Sequence, residues 1–203
     1  SLSTNRFEAK QWAAFWAREE PPLPESACVY GRLDGAGGGA AFGSRAQAVC
    51  LVTSGIDDIV HGATLGAADV QASLHLWLSS ESHALERDIA GLLAQGFRVY
   101  VASDHGHVEA IGIGGPSDGV AAETRGKRAR IYRDRAVAER ANGRFPDTDI
   151  WADDSLLPSD VFVLLPRART AFATAGELVV THGGATLDEM VVPFVTIEDE
   201  KRG

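Results

Sequence analysis

"VYVASDHGHVEAIG", residues 99–112, starts as an apolar run with the look of a strand and then breaks into Asp104, His105, Gly106 and His107. A strand has to stop somewhere, and Asp and Gly are ordinary stop residues. The other reading is a metal. Carboxylate oxygen and imidazole nitrogen are the ligand set that suits zinc, manganese and similar divalent ions. Whether other strands end in the same residue types decides between the two.

Upstream, "AVCLVTS" at 48–54 has the apolar character of a buried strand, and "GIDDIVHG" follows with Asp57, Asp58 and His61. From Gly66 to Gln95, Leu74, Trp77, Leu78, Leu85, Ile89, Leu92 and Leu93 recur at three- and four-residue steps, which predicts one long helix closed by Gly96. Downstream, residues 108–148 lose periodicity apart from one helix near 134–142. "VFVLLP" at 161–166 is apolar throughout. Two short strands then flank a turn containing His182, Gly183 and Gly184, and "TLDEM" fits one helical turn opened by Thr186. Strand, ligand-rich turn, helix, strand, ligand-rich turn is the alternation that builds α/β folds. It predicts a mostly parallel sheet with helices on both faces.

The organisation reads as one domain over 1–203, with an N-terminal part at 1–45 and a core at 46–203. In the first part, Phe7, Trp12, Phe15 and Trp16 fall at near-helical spacing until "PPLPE" stops the helix. The glycine-rich stretch 34–44 matches neither GxGxxG before a helix nor a Walker loop, so a loop fits better than a phosphate cradle.

Composition narrows the function. The 203 residues are 45% hydrophobic and 23% charged, ordinary for a globular domain with a sizeable core. A net charge of -9 argues against broad electrostatic adhesion to nucleic acid or anionic lipid. A local basic stretch, "TRGKRARIYRDR" at 124–135, still allows contact with a phosphate. No apolar segment approaches the roughly 20 residues that cross a bilayer, and no signal pattern opens the chain. Cys28 and Cys50 have no metal-type spacing and are too few for a disulfide framework, which predicts a reducing, cytoplasmic setting. The chain begins at Ser1 and its only Met is Met190, so it reads as a piece of a longer protein.

Ligand-type residues thus occur after three strands: Asp57 and His61, Asp104 and His105, and His182. In open parallel sheets such groups gather in the crevice beyond the carboxyl ends of the strands. Each has a bland counterpart. Asp57 and His61 share a helix face one turn apart, yet a capping Asp and a surface His account for them equally. His75 and His83 fall inside the helical pattern. His107 is a ligand, a substrate contact or simply the next loop residue.

"IDDIVHG", "VASDHG" and "THGGATLDEMVVPFV", in that order, resemble the second half of the alkaline phosphatase superfamily, and specifically the PglZ domain of BREX-type phage-defence systems. The resemblance spans 49–197 and implies an alkaline-phosphatase-like fold binding two divalent ions, zinc or manganese. Asp57, His61 and His182 would hold one ion, and Asp104 and His105 the other. The implied activity is hydrolysis of a phosphate ester, as a phosphatase or a phosphodiesterase acting on nucleic acid, alongside other defence-system subunits. Arg125, Lys127, Arg128 or Arg130 would stabilise phosphoryl oxygens, or form a solvated loop.

The pattern also needs an earlier Asp and a Ser or Thr nucleophile before the Asp-x3-His. Asp34 sits in the glycine loop, and Ser44 or Ser54 would be out of order, so the chain reads as the C-terminal part of such a domain, with its nucleophile elsewhere. Two other readings stand beside it: a non-catalytic scaffold, and a protein-interaction module whose contact surface is the helix carrying Trp12 and Trp16.

Overall fold

The computed structural model describes residues 7–33, 43, 45–62, 66–80, 82–116, 127–153 and 155–199, with the His61 side chain excepted. These residues fall into two compact units. One takes the chain up to Asp58, Leu74–Tyr100 and the end from Thr196; the other takes Ile59–Ser73 and Val101–Val195. None of the described helices is long and apolar enough to cross a membrane.

In the first unit, helix α1 (Glu8–Trp16) carries the aromatic residues, with Trp12 and Trp16 edge to face at 5.5 Å. It is anchored to β1 (Cys28–Arg32) by a hydrogen bond from the Tyr30 hydroxyl to Glu8. β1 pairs in parallel with β2 (Ala48–Val52), register Cys28 to Ala48. Helix α2 (Gly55–Gly62) follows, with Gly55–Asp58 in this unit and Ile59–Gly62 in the other.

The helical stretch expected over 66–95 is occupied by α3 (Ala67–Ser80) and α4 (Ser82–Ala94), with residue 81 between them outside the described residues. Ser79 and Ser80 hydroxyls both donate to the Leu76 carbonyl, and the Ser82 hydroxyl donates to that of Leu78. Gly96 ends α4 at φ 93°, with its N–H on Leu93 O and that of Phe97 on Leu92 O. That bond pair is the Schellman arrangement, which needs a left-handed residue and therefore favours glycine.

The expected mostly parallel sheet is not what forms. β3 (Val99–Ala102) pairs with β10 (Phe194–Ile197), not with β2. In the second unit, β4 (Val108–Gly112) lies between β8 (Thr170–Ala171), which is parallel to it, and β9 (Leu178–Thr181), which is antiparallel. A second sheet, β5 (Arg130–Tyr132), β7 (Phe162–Pro166) and β6 (Thr148–Trp151), is wholly antiparallel. Among the described strands, only β1 and β2 form an all-parallel sheet.

The reason is visible in β7. Its uninterrupted apolar run means that both faces are covered, which a parallel sheet would require but does not monopolise. The central strand of a small antiparallel sheet meets the same condition. Leu164 is fully buried with Tyr132, Phe172, and Ala138 and Ala141 of α5 (Arg135–Arg144). α5 starts where Asp134 accepts from the amides of Ala136 and Val137, an N-cap worth about 1 kcal/mol. Antiparallel pairing also dispenses with the crossover of a dozen or more residues that parallel neighbours need. The loop from β6 to β7 contains no helix among its described residues.

Candidate metal centre

The centre is assembled by one strand register. β4 and β9 run antiparallel with Val108 opposite Thr181. One step further along the same register, His107 faces His182. His105, two residues before His107, joins them. The three half-buried imidazoles each offer a nitrogen, and these nitrogens lie within 4.8 Å of one another.

Ring orientation sets what they can bind. His105 and His182 are stacked almost parallel, centroids 4.0 Å apart and planes 8° off. His107 is edge-on to both, at 5.1 Å from His105 and 5.3 Å from His182. An imidazole nitrogen binds a cation in the plane of its own ring, along its lone pair. Two parallel rings therefore address two neighbouring points rather than one shared point.

His105 Nδ1 sits 3.3 Å from the Gly106 carbonyl, an acceptor it meets as a donor only in the Nδ1–H tautomer, the form that leaves the Nε2 lone pair for a cation. That Nε2 is 3.7 Å from Asp104 Oδ1, which also accepts the His105 amide at 3.1 Å. Carboxylate and imidazole ligands each bind zinc at about 2.0–2.2 Å, so a nitrogen and an oxygen 3.7 Å apart can share one ion.

Behind the rings lies a buried ion pair. The Arg128 guanidinium donates from Nε to Glu189 Oε1 at 3.1 Å and from Nη2 to Oε2 at 3.0 Å, and both side chains are only 1% exposed. Arg128 also donates to the Thr170 carbonyl in β8. Glu189 belongs to helix α6 (Leu187–Met190), entered through Thr186. Its carboxylate accepts from the amides of Gly184 (2.8 Å) and Thr186 (3.2 Å) and from the Thr186 hydroxyl (2.7 Å). Burial alone would push this carboxyl up, but the hydrogen bonds from Arg128, Thr186 and the Gly184 amide outweigh it and hold it below the ordinary glutamate range.

The same helix meets the other ligand strand through backbone: the Gly106 amide donates to the Glu189 carbonyl at 2.9 Å. Two glycines make these approaches possible. A Cβ at Gly106 would lie 1.9 Å from the Asp188 carbonyl oxygen, and one at Gly184 would lie 2.8 Å from Arg128 and Glu189.

Of the five residues the sequence nominated, His105 and His182 come together and Asp104 stands beside His105, its carboxylate 88% exposed. Asp57 is half-buried on α2 and belongs to the first unit. His61 lies one turn further along α2, with its side chain outside the described residues. Asp34, Ser44, the glycine-rich stretch 34–42 and Arg125 also lie outside them. Ser54 donates to Asp58 at 3.1 Å.

The basic candidates are otherwise engaged. Arg128 is buried, the Lys127 ammonium is 3.7 Å from Glu177, and the Arg130 guanidinium lies over the Phe172 ring at 5.2 Å. Sequence reasoning left His107 undecided and passed over Glu189. His-x-His at the mouth of a strand is the signal for His107. No sequence signal marks Glu189 as the partner of a residue 61 positions away.

No curated protein matches the chain. One protein family does, over residues 4–197, essentially the whole length. The ordered motifs, the paired histidines and this match agree: the chain belongs to the BREX system PglZ alkaline phosphatase-like domain family.

Proposed function

We propose that the chain is the metal-binding part of a phosphoric ester hydrolase domain in a phage-defence system, a phosphatase or a phosphodiesterase acting on nucleic acid. The observation that carries the reading is the parallel pair His105 and His182, 4.0 Å apart. Two donors whose lone pairs lie in separate parallel planes suit two neighbouring ions, the arrangement used in two-metal phosphoryl transfer.

Asp104 and His105 would hold one ion, through the adjacent oxygen and nitrogen described above. His182 would hold the other, the ion to which the resemblance also assigns Asp57 and His61. The donor chemistry fits zinc or manganese. Bound there, two such ions activate an oxygen nucleophile and neutralise the leaving oxygen. The protein's own share is to fix the donors: the Gly106 carbonyl holds the His105 tautomer, and the β4–β9 register keeps His107 and His182 opposed. In this reading the hydroxyl nucleophile and a further acidic ligand come from a preceding part of the domain. Other subunits of the defence system are its partners.

Calorimetric titration with zinc and with manganese tests the assignment. Two ions per chain are expected, falling to one in Asp104→Ala and to one in His182→Ala. Absence of binding by the wild-type chain would refute the reading and leave a scaffold role. For the longer protein, hydrolysis of a generic phosphodiester compared with a monoester separates the two reaction classes.

A further inference from the structure

We infer that the buried Arg128–Glu189 pair is a positioning device for the two histidine loops, setting the spacing of His105 and His182, and that it is not a mere packing element. The inference rests on the metal-centre reading above and extends it to two residues outside the proposed ligand set.

Three observations support it. First, Glu189 grips both loops. Its carboxylate takes the Gly184 amide two residues after His182, and its main-chain carbonyl takes the Gly106 amide one residue after His105. Secondly, Arg128 saturates that carboxylate with a two-pronged contact and is itself tied to β8 through the Thr170 carbonyl. The carboxylate therefore has one orientation. Thirdly, the glycine positions leave no slack, since a single added methyl at residue 106 or 184 would strike α6 or the ion pair.

A buried ion pair is a poor way to gain stability. Its desolvation cost offsets most of the attraction, and well-packed apolar residues often do as well. What a planar guanidinium on a carboxylate does provide is fixed geometry. Outer residues that orient ligands typically tune metal affinity by 10–100-fold. Arg128 and Glu189 are linked to the rings through the backbone of the two loops.

The test uses Arg128→Lys, which keeps the charge but loses the fork, and Glu189→Gln, which keeps one acceptor oxygen. Two readouts are taken on the full chain. In the metal-free protein, NMR of the imidazole carbon-bound protons reports the His105–His182 stack as an upfield ring-current shift. In the zinc titration, affinity is expected to fall 10–100-fold in each variant.

The inference predicts loss of the ring-current shift and of affinity in variants that keep a cooperative thermal transition. A folded variant with an unchanged stack overturns it. So does loss of the cooperative transition in both variants, which would make the pair a folding element. If the wild-type chain binds no zinc, the metal reading fails by itself, while the metal-free NMR comparison still decides the positioning role.

Discussion

Gly106→Ala probes the contact on which the centre is built. The new methyl would sit 1.9 Å from the Asp188 carbonyl oxygen, 3.1 Å from its carbon and 3.5 Å from Glu189 Cα. All three are backbone atoms, so no side-chain rotation relieves the clash. To reach an ordinary 3.4 Å contact, strand and helix must separate by at least about 1.5 Å. That movement breaks the 2.9 Å bond from the Gly106 amide to the Glu189 carbonyl. Overpacking costs about 1–3 kcal/mol and the lost bond about 0.5–1.5, so a loss of about 2–4 kcal/mol is expected.

Urea unfolding followed by tryptophan fluorescence reads this directly. With a slope of about 2 kcal/mol per molar, the midpoint falls by about 1–2 M. Gly143→Ala serves as the control. Gly143 is exposed in α5 with nothing within 4 Å of an added Cβ, and the change is expected to stabilise by about 0.4–1 kcal/mol. If Gly106→Ala behaves like Gly143→Ala, strand and helix do not meet as described, and the account of how the histidine loops are held is wrong.

Removing His107 separates ligand from neighbour. Because its ring is edge-on to the His105–His182 stack, His107→Ala is expected to leave the number of zinc ions bound unchanged while weakening them about 10–100-fold, and calorimetric stoichiometry checks this. Glu189 has a lowered carboxyl, so its contribution to stability is present above the ordinary glutamate value of about 4.3 and is lost as pH falls through the lower folded value. Urea midpoints taken below pH 5 should fall steeply in wild type and less so in Glu189→Gln. The hydrogen bond to Glu8 pushes the Tyr30 phenol up to about 12, so one of the three tyrosines should ionise late in an absorbance titration. Glu8→Gln should bring it back toward the ordinary value of about 10, and an unchanged late phase would contradict the contact.

Sequence by itself determined what depends on neighbours in the chain. Asp134 caps α5 and Gly96 closes α4, because each acts on backbone within a few residues. The ordered motifs around Asp57, His61, Asp104, His105 and His182 identified the family for the same reason: they are local strings in a fixed order.

Tertiary structure alone decided partners distant in sequence. The apolar run of β7 shows that both faces are covered but does not say in which direction its neighbours run. That depends on pairing with β5 and β6, and the answer is antiparallel. His107 faces His182 because β4 and β9 adopt one register out of several, and a shift by one residue would send His107 to the opposite face. Arg128, in a stretch read as basic surface or phosphate contact, is instead buried on Glu189, since only the folded chain brings those two residues together.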